Sequence, residues 1–189
     1  SIRLNDKIDC LTFDADTEEV PWHEDGYYLS KRPQFTLDPL FHAGCYYVQE
    51  ASSMFLGEVL NQYVKKDSIV LDMCAAPGGK STLISQYLGD EGLLVSNEVV
   101  RQRVFILSEN IQKWGNGNTI VTHNYAKDFG NKLENLFDCQ HDTLKNDSSF
   151  MPDGMHHWTY YRYQTKLDRI ALVIVNISGW ESAALVGLC

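Results

Sequence analysis

The run Asp72-Met73-Cys74-Ala75-Ala76-Pro77-Gly78-Gly79-Lys80-Ser81-Thr82 gathers an acid, a thiol, an amine and two hydroxyls around small residues. Ala75, Ala76, Gly78 and Gly79 keep side chains off the backbone, and Pro77 stiffens the bend. Such a turn lets a small polar ligand lie against bare peptide groups, with the unpaired N–H groups of a following helix aimed at it. Two chemistries compete for it. Gly79-Lys80-Ser81 is the ending of a phosphate loop, whose pattern G-x-x-x-x-G-K-[ST] asks for glycine at position 74. Cys74 stands there, and a cysteine resists the positive φ often demanded of that glycine. The other chemistry is a nucleoside cofactor held across the strand ends of a doubly wound sheet. It calls for an acid at the end of the next strand, roughly 20 or more residues on, to bind ribose hydroxyls. Glu98 supplies it at a spacing of 26 from Asp72. The nucleoside reading is the better fit, and a phosphate-loop nucleotide hydrolase stands as an alternative.

Elements must position these residues. Ser68-Ile69-Val70-Leu71 is short and β-branched and reads as a buried parallel strand. Leu83-Ile84-Ser85-Gln86-Tyr87-Leu88 reads as the helix after the turn, ended by Gly89. Leu93 to Glu98 is a second strand, and Val100 to Trp114 a second helix, with Val104, Leu107, Ile111 and Trp114 as its stripe and Gly115 as its stop. Arg101 and Arg103 in its first turn read as a solvated face. Thr119-Ile120-Val121-Thr122-His123-Asn124 is a third strand, with His123 a strand-end histidine and not a catalyst. Upstream, Gln49 to about Val64 reads as one helix whose apolar face is Leu56, Val59, Leu60 and Tyr63. Ser52 and Ser53 either border the pocket or fill the first turn. Residues 1 to about 45 read as a small β-rich lead-in, with Cys10 to Phe13 as a candidate strand. Trp22, Tyr27 and Tyr28 are read as core in preference to base-stacking platforms.

The run Asp72 to Lys80 resembles the S-adenosylmethionine loop of the RNA cytosine-5 methyltransferases, the Sun/Fmu family, in its bacterial 16S ribosomal RNA branch. Tyr46-Tyr47-Val48-Gln49-Glu50-Ala51-Ser52-Ser53-Met54 and Ser96-Asn97-Glu98 are similar to the same branch, and the matching region runs from about Ser1 to about Asp138. The resemblance implies a Rossmann-like, doubly wound α/β fold that binds S-adenosyl-L-methionine. Cys74, Ala75, Ala76, Pro77, Gly78, Gly79 and Lys80 would cradle its methionine end, and Glu98 would hold the ribose. Asn124, where the family usually has aspartate, would meet the adenine; an amide both donates and accepts. The implied partner is RNA, 16S rRNA in particular. Residues 1–45 would be the end of an RNA-recognition subdomain, and residues 46–189 a methyltransferase-like domain.

After Asp138 the pattern breaks. The family's chemistry needs a thiolate to add to C6 of cytosine, so that C5 takes the methyl group, and a second cysteine to assist release. No D-A-P-C-S-G occurs here and no threonine-cysteine pair, so catalytic residues stay unassigned. Cys139 to Ser149 lacks strand character. Asp168 to Gly179 reads as a buried strand that could replace the missing fourth one, with Asn176 at the aspartate's place. Cys139 with His141, His156 and His157 fits no tight ligand set, and no metal is expected. Trp158, Tyr160, Tyr161 and Tyr163 read as an aromatic-rich strand. The abrupt end points to a rearranged or frame-shifted tail. A non-catalytic cofactor- or RNA-binding fragment is therefore the other alternative.

Composition narrows the setting. The five cysteines lie far apart with no C-x-x-C pair, which is cytoplasmic usage. A formal charge of −9 and a pI near 5.0 suit a free-standing nucleic-acid binder poorly, so other parts of the full protein would supply much of the grip. No apolar run is long enough for a membrane span. The start at Ser1, already alternating like a strand, reads as a cut. The expected whole is an incomplete α/β methyltransferase fold behind a small β-rich lead-in, of unassigned oligomeric state.

Overall fold

The protein's structure, a computed structural model, describes residues 1–8, 17–125 and 128–129, and the backbone of 139–144, 158–162, 172–177 and 180–186. Its N-terminal sheet has four antiparallel strands, β1 (Ile2–Leu4), β2 (Glu18–Glu19), β3 (Gly26–Tyr28) and β4 (Tyr46–Val48), in the order β2-β3-β1-β4. Ile2, Cys45 and Tyr46 form its core, with Tyr27, Phe35 and Phe41 packed against them. The short helix α1 (Pro39–His42) is capped by Asp38, which accepts from the Leu40 N–H at 2.9 Å and from the Tyr46 hydroxyl at 2.6 Å. Tyr27 thus serves the core, and so do Trp22 and Tyr28, which pack on Val20, Ala51 and Met54. The candidate strand Cys10 to Phe13 lies outside the described residues.

The larger sheet is built around β5 (Ile69–Asp72). It pairs in parallel with β6 (Leu93–Asn97), which pairs in parallel with β7 (Thr119–Thr122). Helix α4 (Gly79–Tyr87) crosses from β5 to β6, and α5 (Arg101–Trp114) from β6 to β7. Side chains alternate across a strand, so both faces must be covered. Val70 and Leu94 pack with Leu56, Leu60, Leu83 and Ile84, while Leu71 and Val95 pack with Met73 and Phe129. Helix α5 ends as expected, with Gly115 at φ +81°.

Four expectations are corrected. The single helix from Gln49 divides into α2 (Ala51–Met54) and α3 (Leu56–Tyr63), because the N–H groups of Phe55 and Glu58 bond three residues back, to Ser52 and Phe55, and tighten the chain there. Helix α4 starts at Gly79, not Leu83, since the left-handed Gly78 turns the chain straight into it. In the tail, Cys139–Leu144 is a strand, β8, which lies parallel to β5. A central strand leaves a row of unpaired peptide groups on its open edge, and that demand outweighs a polar sequence. The expected replacement strand exists as β10 (Leu172–Ile177), but it lies between β9 (Trp158–Arg162) and β11 (Trp180–Val186), antiparallel to both. The order β11-β10-β9-β8-β5-β6-β7 separates it from β5 by two strands, so the strand carrying Asn176 does not take the fourth strand's place beside β5.

Candidate cofactor site

Strand β5 delivers Asp72 to the carboxyl edge of the sheet, where its carboxylate is engaged by the protein's own turn. It is fully buried, and Oδ2 accepts from the Ser81 hydroxyl at 2.7 Å while Oδ1 faces the Cys74 N–H at 3.4 Å. The acid therefore ties the turn to the first turn of α4. Between those anchors, Ala75 and Ala76 are buried against Leu107 and Ile111, and the Ala76–Pro77 peptide is cis. Cys74 and Pro77 are exposed. Gly78 sits at φ +115°, a conformation that a side chain at this position would strain. Gly79 answers a different need: a Cβ there would lie 3.3 Å from the Tyr47 ring. Lys80 stands beside them, and burial lowers its ammonium pKa against the opposing pull of Asp72 and Cys74.

The next strand closes the site. Asn97 is buried and joins three strand ends. Its amide N–H groups donate to the carbonyls of Met73 at 3.2 Å and Asn124 at 3.0 Å. Its carbonyl oxygen accepts from the Thr122 hydroxyl and the Asn124 N–H, each at 2.9 Å, and its backbone carbonyl takes the Ala75 N–H at 2.9 Å. Glu98 follows, only 2% exposed. Its Oε1 accepts from the Val100 N–H at 2.9 Å, whereas the buried Oε2 accepts no hydrogen bond and lies 3.4 Å from Nη1 of Arg103. The same guanidinium donates through Nη2 to the Ala76 carbonyl at 2.5 Å. One side chain thus spans the gap between the acid and the small-residue turn: Arg103 lies on the solvated face, as expected, and its half-exposed side chain also reaches the candidate site.

Cys74 to Lys80 and Glu98 therefore converge on one edge of the sheet. Asn124 is exposed just past β7, with its backbone held by Asn97. His123 is exposed and its ring meets the Val99 carbonyl at 3.0 Å, away from any catalytic arrangement. Among the described residues no group of three His, Cys, Asp or Glu could hold a metal ion. A buried carboxylate oxygen without a hydrogen bond, bridged by Arg103 to a turn of small residues, matches a ligand that offers hydroxyl donors at one end and polar groups at the other. Sequence reasoning missed Asn97 as the knot and Arg103 as the bridge. Asn97 was legible only as the neighbour of Glu98.

Parallel strands, crossover helices and an acid on the second strand's end define the class: the doubly wound fold of the S-adenosylmethionine-dependent methyltransferases. A methyltransferase homolog protein from Pyrococcus horikoshii is 34% identical, with a TM-score of 0.54 over 61% of this chain and 37% of that one. The structure of PH0851 superposes at a TM-score of 0.58 over 67% of this chain and 30% of that one, at 20% identity, and speaks for the fold alone. Residues 1–51 match the family model of the N-terminal domain of 16S rRNA methyltransferase RsmF, and residues 59–140 that of 16S rRNA methyltransferase RsmB/F. Over residues 1–140 the chain belongs to the RsmB/F family. Ribosomal RNA small subunit methyltransferase F of Aeromonas salmonicida is 36% identical over 176 residues, which cover 85% of this chain and 34% of the relative. Its counterpart in Shewanella piezotolerans is 35% identical over 153 residues, 75% of this chain and 31% of the relative. The chain thus spans about a third of the length of these curated relatives. From residue 129 to 189 a different family model matches, that of the endonuclease/exonuclease/phosphatase family. The break in the sequence pattern falls where the two matches overlap.

Proposed function

We propose that this chain binds S-adenosyl-L-methionine on the carboxyl edge of β5 and β6, as the cofactor half of a methyltransferase acting on C5 of cytosine in 16S rRNA. The observation that carries the reading is Glu98: a buried acid whose Oε2 accepts no hydrogen bond and is ion-paired only with the half-exposed Arg103, one arginine's span from a turn of small residues. In this reading Glu98 accepts from the ribose hydroxyls once Arg103 yields its place. Backbone and side chains of Cys74, Ala75, Ala76, Pro77, Gly78, Gly79 and Lys80 hold the methionine end, and Asn124 meets the adenine edge. The bound cofactor supplies an electrophilic methyl group, and the protein holds it still with water excluded. Residues 1–45 are read as the end of an RNA-recognition subdomain, residues 46–189 as the methyltransferase-like domain, and the setting as cytoplasmic. No described helix is long and apolar enough to cross a membrane.

Methyl transfer itself needs thiols that this chain lacks at the place where the family has them. The RsmB/F match ends at residue 140, and the tail follows another family. The function best supported for the chain is therefore cofactor binding without C5 methylation. Isothermal titration with S-adenosylhomocysteine and, separately, with ATP and Mg²⁺ tests it. Binding of the former alone supports the nucleoside site, and binding of the latter alone restores the phosphate-loop alternative.

A further inference from the structure

Arg3, in β1 of the N-terminal sheet, has no exposed surface, and the cofactor site as described makes no use of it. It lies behind the first turn of α4. Its Nη2 donates to the Thr82 hydroxyl at 2.6 Å and to the Gly79 carbonyl at 3.3 Å, and its Nε donates to Oε1 of Gln49 at 2.8 Å. Nη1 donates to the Gln86 side chain, and the guanidinium stacks 4.4 Å from the centre of the Trp114 ring. Among the described residues no carboxylate forms an ion pair with it. Asp25 is linked to it by hydrogen bonds through Gln86, whose Nε2 donates to Asp25 at 3.2 Å and to the Leu4 carbonyl at 3.4 Å, and the charges of Asp25 and Asp6 attract it without an ion pair. Burial depresses the Arg3 pKa to about 9.

Burying a cation whose hydrogen-bond acceptors are all neutral, with Asp25 and Asp6 attracting it from outside ion-pair range, costs several kcal/mol, and an apolar side chain of similar volume would hold two sheets together more cheaply. The contacts say what the charge is for. Gly79 and Thr82 belong to the turn of α4 that directly follows Gly78, where the helix exposes its N–H groups to a ligand. A guanidinium fork on that turn fixes its orientation, and its charge adds to the positive end of the helix dipole. Resting on the nucleoside reading above, we infer that Arg3 is a positioning residue for the charged amino-acid end of the cofactor, so that β1 is a working part of the cofactor site.

The test uses the full chain and two ligands, S-adenosylhomocysteine and adenosine, which lacks the amino-acid end. In Arg3→Lys and Arg3→Met, S-adenosylhomocysteine affinity is expected to fall by roughly tenfold while adenosine affinity stays within about twofold of wild type. The lysine variant keeps the charge but not the fork and should lose less. A purely structural role would weaken both ligands together or neither, and either result overturns the inference. Should both variants fail to fold, Thr82→Val removes one acceptor of the fork and leaves Arg3 in place. It should show a smaller loss confined to S-adenosylhomocysteine, and an equal change, or no change, in the affinities for both ligands would overturn the inference there. Wild-type chain that binds neither ligand defeats the nucleoside reading itself, a result separable from failure of the Arg3 role.

Discussion

The two flanks of β5 are built on different plans. On one side β6 and β7 run parallel to it with α4 and α5 crossing between them, so three carboxyl ends line up on a single edge. On the other side β8 is parallel, but β9, β10 and β11 alternate in direction. A doubly wound sheet binds ligands where parallel strands bring their carboxyl ends together, and alternating strands send every second end to the far side. In the proposed reading the first flank holds a nucleoside through Glu98 and Asn124, while Asp72 and Asn97 brace the turn and the strand ends. The second flank does not continue it with the two further parallel strands on which C5 chemistry would place its thiols. In the proposed reading cofactor binding and methyl transfer therefore part company at β5, and the family matches divide at the same place.

The largest effect expected from that difference is all-or-none. A 16S rRNA fragment incubated with the chain and labelled S-adenosylmethionine should gain no methyl groups at cytosine C5 above background, even at cofactor saturation. Turnover would mean that the second flank supplies thiols after all. On the first flank, Asn97→Ala removes four side-chain hydrogen bonds that join β5, β6 and β7. It should destabilise the fold by about 3 kcal/mol, because buried carbonyls are left unpaired. Chemical denaturation measures this, and a loss below about 1 kcal/mol would show that the strand ends hold without the knot.

A smaller effect comes from His23, which links the N-terminal sheet to α3. Burial holds its imidazole pKa down, from the ordinary 6.5 to about 4, with the charge of Arg3 adding to the effect. As pH falls, the unfolded chain therefore takes up the proton before the folded one does. Stability is complete above about 6.5 and is lost as pH drops towards 4, by roughly 2 kcal/mol. His23→Gln should flatten that part of the pH–stability profile, and an unchanged slope would place the acid sensitivity elsewhere.

Much of the first flank was legible because its signals are local. The β-branched run before Asp72, the small residues of the turn, the stop at Gly115 and the acid at Glu98 each follow from a few neighbouring residues. Arg3, Asn97 and Arg103 were not legible, since their roles exist only once distant segments meet. Arg3 finds Thr82 and Trp114, and Arg103 finds Ala76, across pairings that no periodicity announces. Strand β8 was missed for a related reason. Cys139-Gln140-His141-Asp142-Thr143-Leu144 has no strong β pattern of its own, and its pairing is set by the open edge of β5. Asp72 received no role from the sequence, and its part as the turn's own anchor emerges only when Ser81 folds back onto it.

Titration of S-adenosylhomocysteine into the wild-type chain and into Glu98→Ala is the most direct test of the cleft. Wild type should bind, and removal of the carboxylate should weaken binding by roughly 30- to 100-fold, the worth of charge-assisted bonds to two ribose hydroxyls. Equal affinity in the two proteins, or wild-type binding that 2′-deoxyadenosine competes for as well as adenosine does, would contradict a ribose held by Glu98.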